Sequence, residues 1–223
     1  MAYAFVNAWN NGGPTSGTTG TVSPTGVTVG NLLYLLIQCA DSRTINSVSD
    51  GSNTYSVANA RIVPGVTDMW GYFCPVTTGG NLTITVTFSA SVTDIFIGAV
   101  EYSGIAASPF DKNTSALTAS GSSITTPSVT TTQNGELIIL SGCVENAARP
   151  LNTQAGYTRR VNLLSNGFCI DDTRQTTAGG ITGTGTITGG NSAFGIFLAT
   201  FKETVSATYV PKMNYAFQPT VAQ

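Results

Sequence analysis

Gly30-Asn31-Leu32-Leu33-Tyr34-Leu35-Leu36-Ile37 places apolar side chains at consecutive positions between a turn glycine and Gln38. Successive strand residues point to opposite faces, so a short run of this kind reads as a strand covered on both sides. Gly135-Glu136-Leu137-Ile138-Ile139-Leu140 echoes it. The echo continues: a cysteine follows each run (Cys39, Cys143), then a strand with Tyr55 or Tyr157, then Phe73-Cys74 or Phe168-Cys169. Thr77–Gly80 then matches Thr176–Gly180, and Asp94–Tyr102 matches Ala193–Lys202. Thr83-Ile84-Thr85-Val86-Thr87-Phe88 alternates strictly, the mark of a strand with one dry face. Turn residues punctuate these runs at Asn11–Pro14, Asp50–Asn53, Gly79–Asn81, Asn134-Gly135 and Gly189–Asn191.

The pattern predicts an all-β fold, an antiparallel β-sandwich of jelly-roll type built from two similar halves. One domain is expected over residues 1–202, with halves of about 1–107 and 108–202. Two separate small sandwiches are the alternative, disfavoured because each half alone has few core strands. The expected core is Leu33, Leu35, Ile37, Ile84, Val86, Phe88, Phe96, Val100, Leu137, Ile139, Phe197 and Phe201. No helix should exceed about two turns. Residues 203–223 have no partner in the repeat, and Pro211 and Pro219 oppose a regular element. They read as an extended C-terminal arm, and Tyr209, Val210, Met213, Tyr215 and Phe217 make it too apolar to be left in water.

Composition narrows the chemistry. Charged residues are 9% of 223, against roughly 25% in an ordinary domain. A net charge of −2 gives no footprint for nucleic acid or an anionic membrane. The chain has no histidine, which removes Ser-His-Asp hydrolysis and His-ligated zinc. Leu32–Ile37 falls far short of the roughly 20 apolar residues of a spanning helix. No basic stretch precedes Tyr3–Trp9, so no secretory leader is expected.

The residues that could carry chemistry are few. Cys39, Cys74, Cys143 and Cys169 form either two disulfides, most simply Cys39–Cys74 and Cys143–Cys169, or four buried small hydrophobes. The missing leader favours the second reading; under either, the repeat puts Cys39 nearer Cys74 than Cys143 or Cys169. Asp171-Asp172 are adjacent carboxylates whose side chains would leave a strand on opposite faces, so they should not converge on a substrate. An exposed loop or strand pair with Arg174 nearby is expected there. Glu101 is either a buried, hydrogen-bonded acid or the end of its strand. Trp9, Trp70, Tyr34, Tyr55, Tyr72 and Tyr102 could form a sugar-stacking platform, but Trp70, Tyr72 and Cys74 share one strand face and read better as core. No enzymatic activity and no cofactor are expected.

The runs Gly30–Ile37, Asp94–Gly104, Pro109-Phe110-Asp111, Thr125–Thr132 and Asn134–Leu137 together resemble a recurrent β-sandwich module of tailed-phage virion proteins and of uncharacterised bacterial surface proteins. The resemblance spans roughly Val22–Phe201. Its bacterial examples carry secretion signals, which weights this chain toward the phage examples. It implies a virion structural protein made in the host cytoplasm, most simply a capsid decoration protein. Such a protein would assemble through sheet edges and its arm with copies of itself and with a major capsid or tail protein. A tail component and a glycan-binding module facing host-surface glycan are the alternatives.

Overall fold

The computed structural model describes residues 2–65, 67–146, 148–163 and 167–204. Among them there are strands and no helix, and the antiparallel β-sandwich built from two similar halves is what the chain forms. The first half contributes β1 (Ala4–Asn10), β2 (Thr15–Val22), β3 (Leu32–Ala40), β4 (Ile45–Ser49), β5 (Ser56–Ile62), β6 (Thr67–Pro75) and β7 (Ile84–Ser103). The second contributes β8 (Ile105–Gly121), β9 (Ser123–Thr125), β10 (Val129–Thr130), β11 (Glu136–Val144), β12 (Thr158–Leu163), β13 (Phe168–Gln175), β14 (Gly180–Ile181), β15 (Thr184–Thr186) and β16 (Ser192–Glu203).

The repeat is reproduced strand for strand. One sheet runs β5-β6-β3-β7-β1 and the other β12-β13-β11-β16-β8. The two echoed apolar runs therefore become the two central strands, β3 and β11. Their inner faces meet in a shared core of Leu32, Tyr34, Leu36, Phe96, Val100 and Tyr102 against Leu137, Ile139, Phe168, Ile170, Phe197 and Phe201. Gly98 lies where the sheets approach most closely: a Cβ there would stand 2.8 Å from the Phe168 ring and 3.1 Å from Val161.

Each sheet also buries its outer face, which explains the absence of alternation in Leu32–Ile37. Leu33, Leu35 and Ile37 pack with Ile84, Val86 and Phe88 in a second core. That layer is made by β2 and β4 pairing with the first part of β7, whose later part returns to the main sheet beside β3 and β1. Asp94, with φ 53°, marks the bend between the two parts; Asp is among the few residue types that tolerate this conformation. In the second half Ile138, Leu140, Ile196 and Leu198 fill a third core under β9–β15 and β10–β14. All twelve residues expected in the core are buried, six of them in the shared core and six in the first half's outer core.

The open edges of the main sheets meet each other. Asn59 of β5 donates its amide to the Thr114 carbonyl on β8, and Asn113 of β8 donates to the Ala58 carbonyl. These amides replace a strand ladder and cover groups that would otherwise template pairing with another chain. The last strand runs past the expected domain limit: Glu203 belongs to β16, and Thr204 donates its N–H to the Gly104 carbonyl at 2.9 Å.

Candidate functional site

The acidic pair Asp171-Asp172 is buried, not exposed, and its partners are Arg159 and Arg160 rather than Arg174. On β13 the two carboxylates leave by opposite faces, as strand geometry requires, and a bulge in β12 lets the two adjacent arginines follow them. Arg159 holds Asp171 and also donates to the Leu151 carbonyl at 3.0 Å. Arg160 binds Asp172 at 2.7 and 3.2 Å and lies 4.2 Å above the Phe5 ring. Asp172 also accepts from the fully buried Tyr102 hydroxyl at 2.8 Å. Burial, then the Asp172 charge, drive the Tyr102 hydroxyl well above its ordinary value. Burial raises Asp171 although Arg159 opposes it. Arg174 instead clamps Glu203 at 2.5 and 2.6 Å. These are structural pairs with every charged group engaged.

Two further buried acids serve the same turn of the repeat from different positions. Glu101 is buried and hydrogen-bonded: Thr28 N–H and the Asn31 amide donate to its Oε1 at 2.9 and 2.6 Å. In the second half the strand facing position carries Thr200, and the carboxylate has moved to Glu136, the counterpart of Asn31. Glu136 accepts from Thr132 N–H and Gln133 N–H, both at 3.2 Å. In both halves a buried carboxylate ties down the turn that leads into the central strand.

Around Glu136 the second half builds something the first lacks. Lys202 lies directly opposite Glu136 in the β11–β16 register. Asp111 sits on β8, the other neighbour of β16, as the extra residue of a bulge between the pairs Thr200–Lys112 and Phe201–Phe110. Lys202 Nζ is 3.6 Å from Asp111 Oδ1. The Thr132 N–H is shared by Asp111 at 2.8 Å and Glu136 at 3.2 Å, so the two carboxyl groups converge. The Thr132 hydroxyl donates to Asp111 at 2.6 Å. Glu136 is fully buried, and its Oε2 has no donor. Burial, reinforced by the Asp111 charge, raises Glu136 above the ordinary carboxylate value. Burial opposes ionisation of Asp111 as well, but the Thr132 donors and Glu136 outweigh it and lower its value. The two shifts are opposed: of the pair, Glu136 is the group that holds a proton more strongly. Spread over three segments, this lysine and two acids look scattered in the sequence; the legible signal was charged residues capping the apolar runs Leu137–Leu140 and Phe194–Phe201.

The cysteines are free and buried. Cys74 pairs across from Leu33 and Cys39 from Asp68, which sets Cys39 and Cys74 six residues apart on neighbouring strands, roughly 20 Å. A disulfide needs Cα atoms within about 7 Å, so the expected Cys39–Cys74 bridge is excluded. Cys143 Sγ lies 3.3 Å from Met69 Sδ, and Met69 faces Gln38, the neighbour of Cys39, so Cys39 is nearer Cys143 of the other half than Cys74, against expectation. Cys143 faces the shared core and Cys169 the outer one, so strand alternation separates that pair too. Burial pushes the Cys39, Cys74 and Cys169 thiols up to about 12.

The aromatic residues do not make a platform. Tyr34 and Tyr102 are fully buried, Trp70 is in the first half's outer core, and Trp9, Tyr55 and Tyr72 pack against it. A surface recess of about 490 Å³ lies between the halves and is lined by Phe73, Pro75, Pro109, Phe110 and Lys202, among others. An adjoining recess of about 370 Å³ reaches Thr204. The arm residues Tyr209, Val210, Met213, Tyr215 and Phe217 lie outside the described residues. No protein-family model matches the chain, and no curated protein or solved structure matches it significantly.

Proposed function

We propose that this chain is a virion structural protein of a tailed bacteriophage, most simply one that decorates the capsid surface. It has no catalytic role in this reading. The observation that carries it is that residues 2–204 already build a sandwich with three apolar cores and a β5 edge joined to β8 among the described residues. The apolar residues Tyr209, Val210, Met213, Tyr215 and Phe217 follow in the sequence, and in this reading they serve assembly. The resemblance of Val22–Phe201 to a phage virion module supports the same reading. The interlocked β5 and β8 edges shift the assembly role from sheet edges toward the arm. Its partners are copies of itself and a major capsid or tail protein.

The test is removal of residues 205–223, with Thr204 retained for its bond to Gly104. The shortened chain should stay folded and soluble and fail to join particles imaged by electron microscopy. Full occupancy of the shortened chain on particles, or absence of the intact chain from purified virions, would end this reading.

A further inference from the structure

We propose that Lys202 and Asp111 join in an intramolecular isopeptide bond, with Glu136 as the proton-transferring acid, so that β16 becomes covalently tied to β8. The proposal is independent of any particle.

Three requirements of this reaction are met by position. First, nucleophile and electrophile must be neighbours, and Lys202 Nζ stands 3.6 Å from an Asp111 carboxyl oxygen. The contact is held by the fold: Phe110 and Phe201, the residues just before the two reactants, pack ring to ring at 6.0 Å. The bulge in β8 makes Asp111 the unpaired residue and turns it toward Lys202. Proximity of this kind replaces a bimolecular encounter. Second, an acid must serve the departing oxygen. Glu136 is opposite Lys202 and shares the Thr132 N–H with Asp111, so its carboxyl group is within reach of the reacting oxygens. Third, water must be held off. The Asp111 side chain is 3% exposed and Glu136 is fully buried, whereas Lys202, 31% exposed, leaves a path for the released water.

The step balances without any oxidant or co-reactant. The ammonium of Lys202 gives a proton to the Asp111 carboxylate across their contact. The freed lone pair of Nζ attacks Asp111 Cγ and forms the C–N bond. Glu136 hands its proton to the leaving oxygen and is reprotonated from the attacking nitrogen. The C–O bond breaks, and ammonium plus carboxylate become one amide and one water, with Glu136 unchanged. The Thr132 N–H and hydroxyl, already aimed at the Asp111 oxygens, steady the charge that develops there.

The experiment is intact-mass measurement of the purified, denatured full chain. The expected mass is one water below that of the sequence, and digestion should yield a branched peptide joining the segments of Lys202 and Asp111. K202R, which keeps the cation beside Asp111, should have the full mass, as should D111A. E136Q should dehydrate slowly or not at all while retaining its melting transition. A wild-type chain at full mass would overturn the bond. So would a one-water loss that persists in K202R, since this would be cyclisation of an aspartate elsewhere. E136Q that dehydrates as fast as wild type would remove Glu136 from the reaction.

Discussion

Asp172 shows how a single residue sets local stability in this molecule. It is 3% exposed and held by Arg160 and Tyr102. Tyr102→Phe keeps the ion pair and should cost about 1–2 kcal/mol in urea denaturation. Arg160→Met strands a buried charge and should cost about 3 kcal/mol, because the desolvation penalty is then unopposed. An equal cost for both would mean that the arginine's exposed quarter lets water take over its role. The cysteines give a second test at this scale. With thiols raised to about 12 by burial, the folded chain should resist iodoacetamide at about pH 8. All four should react once it is denatured. Glu136 and Asp111 predict a pH signature, readable in K202R, where both carboxyl groups persist. The stability due to Glu136 is complete below the ordinary Glu value of about 4.3 and is lost as pH rises through its raised value. That due to Asp111 is present above about 3.9 and is lost as pH falls through its lowered value. The melting temperature of K202R should therefore fall, relative to the double variant K202R/E136Q, as pH rises above the ordinary carboxylate range.

Between elements, legibility followed the hydrophobic pattern. Leu32–Ile37 and Leu137–Leu140 were readable as doubly covered strands because no exposed strand tolerates that composition. The alternation in Ile84–Phe88 named the face of β7 that is buried. The strand equivalences followed from the echo. Pairings that depend on register were not readable. The Cys39–Cys74 bridge failed because equal placement in two halves says nothing about where along a strand each residue falls; a six-residue offset decides it. Arg159-Arg160 and Asp171-Asp172 were visible as doublets, but their mutual pairing rests on a bulge in β12 that no local sequence signal announced. Convergence of Asp111, Glu136 and Lys202 rests on another bulge, in β8. Close contact between elements gives a sharp test. Gly98→Ala would place a methyl 2.8 Å from the Phe168 ring, and such overpacking should cost about 1–3 kcal/mol in thermal or urea unfolding. Gly179→Ala, whose Cβ meets nothing nearer than 3.9 Å, should be close to neutral.

For the molecule as a whole, the two halves differ from independent domains in one respect. Each has an outer core of its own, but both leave their inner sheet faces bare until they meet. Residues 2–104 produced alone should therefore aggregate or pair with a second copy through Leu32, Tyr34, Leu36, Phe96 and Val100. Co-expression with residues 105–223 should restore a soluble two-piece complex, visible by size-exclusion chromatography. A soluble monomeric half would show that the shared core is dispensable.

The position of β16 has a mechanical consequence. Its neighbours grip it on both sides, β11 from Glu136 to Val144 and β8 along most of its length. The strand ends two residues after Phe201, and Arg174 holds its final glutamate. Tension applied beyond Thr204 runs along the strand axis, at right angles to both hydrogen-bond ladders. The bonds must then shear together instead of opening one by one from an edge. A tether at this end would load a strand laddered on both sides, whereas a pull at the edge strand β1 would meet a ladder on one side only.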